Sequence, residues 1–293
     1  MRHGAEGPDA SPAGGFDLVT LVTDYGPSGG FVGALHAVVD AVVAGRRAVR
    51  ILDLDHEIPR HDVLLGALRM ERSLAYTRPG VHVGVVDPGV GGSRRGIALA
   101  SGGRVFVGPD NGLLLLAAEA AGELGEAVAL ESVGLRGRTK TFDGRDLFAP
   151  AAAELALGRA LSDLGPRLDP AELVRLERPR ARRRPDGTLE LLVVQVDGFG
   201  NVQLAAGATE LEDLGPAAVL RRAGAAAGEP LAVQVAETFG DVAEDCPLLL
   251  LDSDLALALS VNRGRADELL GGLRVGDRVL AAPGRHEGGL GDR

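Results

Sequence analysis

Apolar residues in the first half of the chain fall into short runs separated by longer stretches of helical period. The runs 18–22, 49–53, 81–86, 97–100 and 105–107 are aliphatic, partly β-branched and bounded by polar, Gly or Pro residues, which predicts buried strands. Segments 31–44, 62–75, 113–121 and 150–161 carry apolar positions at helical spacing. Strand and helix alternate from residue 16 to about 175, so an α/β fold with a largely parallel sheet is expected. Pro179, a run of arginines and Pro185-Asp186-Gly187 then interrupt all periodicity. Beyond them, 189–196, 202–204, 231–235, 248–251, 257–261 and 278–280 are short apolar runs divided by turns, with a short helix expected near 266–270. The Ala- and Gly-rich stretch 205–228 reads as loop or short helix. This second pattern predicts a smaller C-terminal β-barrel domain. The expected division is an N-terminal α/β domain at 16–178, a barrel at 188–283, and disordered tails at 1–15 and 284–293.

Composition narrows the partners. A chain of 293 residues that is 45% hydrophobic can build two ordinary cores, and 3% aromatic content with no Trp makes them aliphatic. A net charge of −10 argues against nonspecific nucleic-acid binding, which depends on Lys and Arg at phosphates, and points to a small-molecule ligand. The basic run 178–184 reads as a solvated linker. Cys246 is the only cysteine, so neither an internal disulfide nor a Cys-based zinc cluster can form within one chain. The first fifteen residues lack a signal-peptide core, and no stretch reaches the roughly 18 apolar residues of a membrane span. A soluble, cytoplasmic protein with no membrane partner is expected.

Several loops carry candidate chemistry. Val86-Asp87-Pro88-Gly89-Val90-Gly91-Gly92-Ser93-Arg94-Arg95 places a carboxylate and two guanidiniums on a glycine-rich turn at the carboxyl end of a predicted strand, where open α/β sheets bind ligands. A structural turn with a surface Arg pair is the competing reading. Thr23-Asp24-Tyr25-Gly26 puts Asp24 at another strand end, suited to vicinal ribose hydroxyls or to a helix cap. The glycines after it spell neither Gly-x-Gly-x-x-Gly nor a phosphate-binding Walker loop. Asp53-Leu54-Asp55-His56-Glu57 offers metal-ligand types, but adjacent strand residues point to opposite faces, which favours hydrogen bonds that fix loops. Asp110 or Asn111 is a candidate helix cap, and Thr141-Phe142-Asp143-Gly144-Arg145-Asp146 reads as a helix entrance with an ion pair. Phe199-Gly200-Asn201 sets an aromatic face beside an amide, fit for a nucleobase, with a β-bulge as the ordinary alternative.

Taken in order, Thr-Asp-Tyr-Gly, Asp-His-Glu-Ile-Pro, Val-Asp-Pro-Gly-Val-Gly-Gly-Ser-Arg-Arg, Gly-Pro-Asp-Asn-Gly-Leu-Leu, Phe-Asp-Gly-Arg-Asp-Leu-Phe-Ala-Pro and Phe-Gly-Asn-Val resemble the S-adenosylmethionine (SAM) hydroxide adenosyltransferases. These are also called adenosine-forming SAM hydrolases and are related to the fluorinases and chlorinases. The resemblance spans roughly residues 18–279. It implies an α/β domain followed by a β-barrel, a homotrimer with active sites between subunits, SAM as substrate and no metal or redox cofactor. It implies that Asp87, Arg94 and Asp143 activate water, that Asp24 binds the ribose, that Phe199 and Asn201 meet the adenine, and that Ser253 and Asp254 hold the methionine portion. In the halogenating relatives the Asp87 position is aromatic and the Arg94 position is not arginine, so this pair favours water over halide as nucleophile.

Three positions depart from the pattern resembled. Asp143 stands where the hydrolases carry His, and a carboxylate is a weaker base than an imidazole unless a neighbouring carboxylate shares its proton. Gly29 and Leu255 stand where Asp and Gly are usual. The expected activity is hydrolysis of SAM to adenosine and methionine. A catalytically weak SAM- or adenosine-binding protein and a halogenase-like transferase are the alternatives.

Overall fold

In the N-terminal half, β1 (Leu18–Thr23) is buried along its whole length, because its alternate side chains meet helices on both faces of one sheet. The computed structural model describes residues 14–135, 139–224 and 229–284. Of the tails expected to be disordered, 1–13 and 285–293 lie outside the described residues. Gly15 and Gly284 belong to folded structure: a Cβ on Gly15 would stand 2.4 Å from Ala156 O, and Gly284 N–H donates to Ala217 O at 2.8 Å.

The chain divides into two units at Glu177 and Arg178. In the first, β1 is followed by α1 (Phe31–Val43), β2 (Arg50–Asp55), α2 (Val63–Leu74), β3 (Val81–Val85), β4 (Gly96–Ser101), β5 (Arg104–Pro109), α3 (Leu115–Ala121) and β6 (Leu124–Ala129). A π turn at Gly144–Phe148 runs into α4 (Ala149–Ala156), and β7 (Arg167–Leu168) closes the unit. The sheet order is β2-β1-β3-β5-β4-β6-β7. Strands β1, β2, β3, β5 and β6 run one way while β4 and β7 run against them, so the sheet is mostly parallel.

One face of this sheet, with Val19, Leu21, Val81, Val83 and Val107, packs against Leu35, Val39 and Val43 of α1 and the alanines of α4. On the other face Gly84 lies so close to Met70, Leu113 and Leu114 that a Cβ would meet their side chains at 2.9–3.1 Å, which lets α2 and the entrance to α3 sit down on the sheet. Asp62 caps α2 by accepting from Leu65 N–H at 2.9 Å.

The second unit contains β8 (Arg182–Arg183), β9 (Leu189–Val196), β10 (Val202–Leu204), α5 (Ala208–Leu214), β11 (Ala217–Arg222), β12 (Leu231–Val235), β13 (Pro247–Leu251), β14 (Leu257–Val261) and β15 (Arg278–Pro283). Strands β10, β14, β13, β12, β11, β15 and β9 pair in that order, and β9 returns to β10, which closes a seven-stranded barrel with β8 appended to β9. Its interior is aliphatic, with Leu191, Val193, Val202, Leu220, Leu249, Leu259 and Val279 all buried.

Several local expectations need correction. The helix expected at 150–161 stops at Ala156 and is preceded by the π turn, and the helix near 266–270 is only a 3-10 turn at Leu269–Gly271. The stretch 205–228 holds α5 and also a strand, β11, whose Ala218 and Leu220 point inward; residues 225–228 of it lie outside the described residues. Alanine is a weak strand former, which hid that alternation. The basic run was expected to be a linker, yet Arg182 and Arg183 pair with Glu190 and Leu189 at the barrel's edge.

Candidate active site

Two adjacent parallel strands frame the site. The sheet runs from β1 to β2 on one side and to β3 on the other, while α1 and α2 cover opposite faces. The carboxyl ends of β1 and β3 therefore border a topological switch point, the crevice where α/β sheets bind ligands. Asp24 follows β1 and Asp87 follows β3.

The loop after β3 is shaped to bring Arg94 back onto Asp87. Asn111 Nδ2 donates to Val86 O at 2.8 Å and its Oδ1 accepts from Leu113 N–H at 3.1 Å, which anchors the start of the loop. Asn111 thus forms a local turn instead of capping α3. Gly91 has a φ of 76° and lies against Lys140 O, where a Cβ would stand at 2.4 Å; only glycine fits this point. Arg95 turns the other way and pairs with Asp110, which is buried, at 2.5 Å.

Arg94 joins the two other predicted catalytic groups. Its Nε lies 3.0 Å from each carboxylate oxygen of Asp87, and its Nη2 donates both to Asp87 Oδ2 and, at 2.6 Å, to Asp143 Oδ2. The side chains of Asp87, Arg94 and Asp143 are 6%, 14% and 11% exposed, so these are largely desolvated, charge-assisted bonds. Burial works against the charge on Arg94, but the hydrogen bonds and charges of Asp87 and Asp143 outweigh it and hold its pKa above the ordinary range. Two carboxylates against one guanidinium leave the cluster formally with one net negative charge. Among the described residues no group donates to Asp143 Oδ1, so that oxygen can accept a proton or a water.

Aromatic side chains wall the cluster. Tyr25, Phe31 and Phe142 form a triangle with centroids 5.2–5.7 Å apart, and the Arg94 guanidinium lies 5.5 Å from the Phe148 ring centre. Burial, followed by the negative charges of Asp24, Asp87 and Asp143, pushes the Tyr25 pKa well above its usual value, so the phenol is a donor and not a base. Tyr25 Oη sits over Gly144, where a Cβ would be only 2.2 Å away. A cavity of about 270 Å³ opens onto Arg94 and Asp143 and is lined also by Arg95, Glu131, Thr139 and Lys140. The expected ion pair after Asp143 is present, with Arg145 Nε 2.6 Å from Asp146 Oδ1. Asp143 itself caps nothing.

Asp24 accepts from His61 N–H at 3.0 Å through Oδ2. The Asp53–Glu57 segment holds loops: His36 and His56 both approach Asp53 Oδ1, at 2.8 and 3.0 Å, and Arg69 pairs with Asp55 at 2.9 Å. Among the described residues no group of three or more His, Cys, Asp or Glu is arranged to hold a metal ion.

In the barrel, Phe199 is 81% exposed on the β9–β10 loop, which Asp197 stiffens by accepting from Phe199 N–H, Asn201 N–H and Asn201 Nδ2 at 2.8–2.9 Å. Among the described residues nothing donates to the Asn201 amide oxygen. Ser253 and Asp254 are exposed on the β13–β14 loop, built on Asp252, which accepts from Asp254 N–H and Ala256 N–H. Val202 pairs with Leu259 and Gln203 with Ala258, so these two loops lie at opposite ends of β10 and are not brought together within the barrel. Leu255 has a φ of 59°, a conformation glycine adopts at less cost, and it is 74% exposed.

Of the predicted residues, then, Asp87, Arg94 and Asp143 converge directly and Asp24 borders the same crevice. The spacing assigned no role to Tyr25, Phe31 or Phe142, although Tyr25 and Phe142 lie inside quoted motifs. Their aromatic character next to Asp24 and Asp143 was the available signal.

Comparison with known proteins gives the family. Residues 19–165 match the SAM hydroxide adenosyltransferase N-terminal domain and residues 191–280 its C-terminal domain. The chain is 45% identical over 269 residues to an (R)-S-adenosyl-L-methionine hydrolase of Salinispora tropica, covering 91% of this chain and 98% of that protein. It is 38% identical to the enzyme of the same name from Thermus thermophilus, covering 86% and 95%. The solved structure of an uncharacterized conserved protein from Thermotoga maritima superposes with a TM-score of 0.78 at 29% identity, over 90% of this chain and 99% of that one. With both domain patterns matched across most of its length, the chain belongs to the SAM hydroxide adenosyltransferase family.

Proposed function

We propose that this protein hydrolyses S-adenosyl-L-methionine to adenosine and L-methionine by attack of water on the ribose C5′ carbon. The observation that carries the reading is the desolvated Asp87–Arg94–Asp143 cluster beside Asp24 at the switch point. The substrate's sulfonium is a cation, and a cluster with one net negative charge, walled by aromatic rings, suits it electrostatically. The C5′–S bond breaks as the C5′–O bond forms, the sulfur keeps the electron pair and leaves as neutral methionine, and one proton of the water is released. Atoms and charge balance with water alone. Because the leaving group ends uncharged, it needs no acid; what the reaction needs is in-line placement of water and a base.

In this reading Arg94 fixes Asp87 with a two-pronged bond and holds Asp143 by one oxygen, leaving Asp143 Oδ1 to accept the proton. The cavity lined by Glu131, Thr139 and Lys140 gives that proton a route to bulk water. Asp24 takes the ribose hydroxyls through the lone pairs not used by His61 N–H. Phe199 and Asn201 receive the adenine, and Ser253 and Asp254 the methionine end, each from a neighbouring copy of the chain in a homotrimer. The exposure of Phe199 on a stiffened loop supports that assembly. The reaction takes place in the cytoplasm; among the described residues no helix is long and apolar enough to cross a membrane, and the chain's lone cysteine fits a reducing compartment.

Incubating purified protein with SAM and separating the products by chromatography tests the reading. Adenosine and methionine in equal amounts are expected. No adenosine between about pH 6 and 9 from a folded trimer would overturn it, and SAM binding without turnover would support a binding protein instead. Light scattering tests the trimer separately.

A further inference from the structure

The connection between β2 and α2 grips the Asp24–Tyr25 turn from both sides, and His56 is its centre. Thr23 Oγ1, fully buried, lies 2.8 Å from His56 Nδ1 and accepts from Tyr25 N–H at 3.2 Å. Gly26 N–H donates to His56 O at 2.8 Å. One residue thus holds the chain just before Asp24 with its ring and just after Tyr25 with its carbonyl. Five residues on, His61 N–H reaches Asp24 Oδ2 at 3.0 Å, and His61 adopts a φ of 68° to do so. A non-glycine residue in that region is strained, and it is kept there by the contacts around it.

The ring of His56 is itself oriented. Nε2 faces the Asp53 carboxylate, which can only accept, so the ring proton belongs on Nε2; Nδ1 then accepts the Thr23 hydroxyl hydrogen, and Thr23 Oγ1 keeps a lone pair for Tyr25 N–H. Nε2 lies 3.0 Å from Asp53 Oδ1, without the alignment of a full hydrogen bond, and His36 Nε2 meets the same oxygen at 2.8 Å. Burial tends to raise the Asp53 pKa, but His36 and His56 outweigh it and hold the carboxyl below the usual range, so the anchor stays charged. The side chain of His56 is 12% exposed, so this orientation is locked by packing as well.

We infer that His56 is a positioning residue for ribose recognition: through Thr23 and Gly26 it sets the Asp24–Tyr25 turn so that the Asp24 carboxylate is aimed at the vicinal diol. His56 touches no reacting atom in this scheme. The inference rests on the assignment of the ribose to Asp24 made under the proposed function.

The test compares SAM with its 2′-deoxyribosyl analogue, and adenosine with 2′-deoxyadenosine, on wild-type protein and His56→Ala. A hydrogen bond to a carboxylate is worth on the order of 10- to 100-fold in affinity, and the wild type should prefer the hydroxylated ligand of each pair by about that factor. In His56→Ala the preference should shrink to within about threefold, and His56→Asn, whose amide oxygen can accept from Thr23, should recover part of it. A merely structural role predicts that activity and binding fall equally for both ligands while the preference stays intact, and that result overturns the inference. If His56→Ala does not fold, Thr23→Val removes the hydroxyl link at nearly constant volume and must give the same loss of preference; a retained preference there refutes it too. Discrimination between the two nucleosides without turnover of SAM would leave the inference standing and refute hydrolysis. No discrimination by the wild type would refute the ribose role of Asp24 and this inference with it.

Discussion

Replacing Asp143 by Asn separates catalysis from stability at the centre of the cluster. The amide keeps the shape of the carboxylate and can still accept from Arg94 Nη2, now 2.6 Å from Asp143 Oδ2, while Asp87 retains its two-pronged bond to Arg94. What disappears is the charge and the capacity of Oδ1 to take a proton. A positioned base contributes about 10²- to 10⁴-fold, equivalent to about 3–5 kcal/mol of barrier. Exchanging a charge-assisted bond for a neutral one costs about 1 kcal/mol of folding free energy, a small part of the roughly 5–15 kcal/mol that holds a domain together. The expected outcome is therefore a folded protein whose kcat for adenosine formation falls by about two to four orders of magnitude while KM changes far less. Steady-state kinetics alongside a thermal melt measures both. A kcat within about threefold of wild type would mean that Asp143 is not the base. The companion change Asp143→His should raise kcat, because imidazole is the stronger base; an unchanged or lower rate would show that Asp87 and Asp143 work as a pair.

Three further outcomes follow from the geometry. Gly144→Ala would put a methyl 2.2 Å from Tyr25 Oη and must displace the phenol, so activity measured at saturating SAM should fall by at least about tenfold in a protein that still folds. Leu255→Gly removes an exposed side chain from a left-handed backbone and should stabilise the barrel by ~1 kcal/mol in chemical unfolding; a loss of stability would contradict the strain argument. His82 is fully buried between Thr20 and Arg104, and burial, then the Arg104 charge, lowers its pKa from the ordinary 6.5 to about 3. The unfolded chain takes up this proton first, so the contribution of neutral His82 is complete above about pH 6.5 and declines by up to about 1.4 kcal/mol per unit as pH falls toward 3; urea unfolding at pH 7 and 5 should show a shallower slope in His82→Gln.

What could be read from the residues alone was whatever depends on neighbours in sequence. Thr23-Asp24-Tyr25-Gly26 and the Asp87–Arg95 turn each follow an apolar run, so their place at strand ends was legible from period and punctuation. That β1 and β3 lie side by side was not, because strand order is decided by which faces the helices cover, and β2 intervenes in sequence. The reversed direction of β4 was hidden for a related reason: Gly102 and Gly103, both at positive φ, make a two-residue hairpin turn, whereas the apolar runs on either side look like any others. The aromatic triangle draws on Tyr25, Phe31 and Phe142, two of them more than a hundred residues from the third, and no local pattern joins them.

Asp143 is the residue whose meaning changed most once its surroundings were known. Against the resembled pattern alone, it stands as a weaker base in the place of an imidazole. In the folded chain it shares one guanidinium with Asp87 and keeps one oxygen without a described donor, and a cavity reaches it. A carboxylate in that position is not simply a poor copy of an imidazole. In the proposed reaction Arg94 neutralises one of the two negative charges, so the second remains to attract a sulfonium, and that attraction vanishes once the sulfonium has become methionine. In that scheme the carboxylate that takes the water's proton loses its electrostatic hold on the product, so an Asp in this place favours methionine release in a way that a neutral histidine cannot.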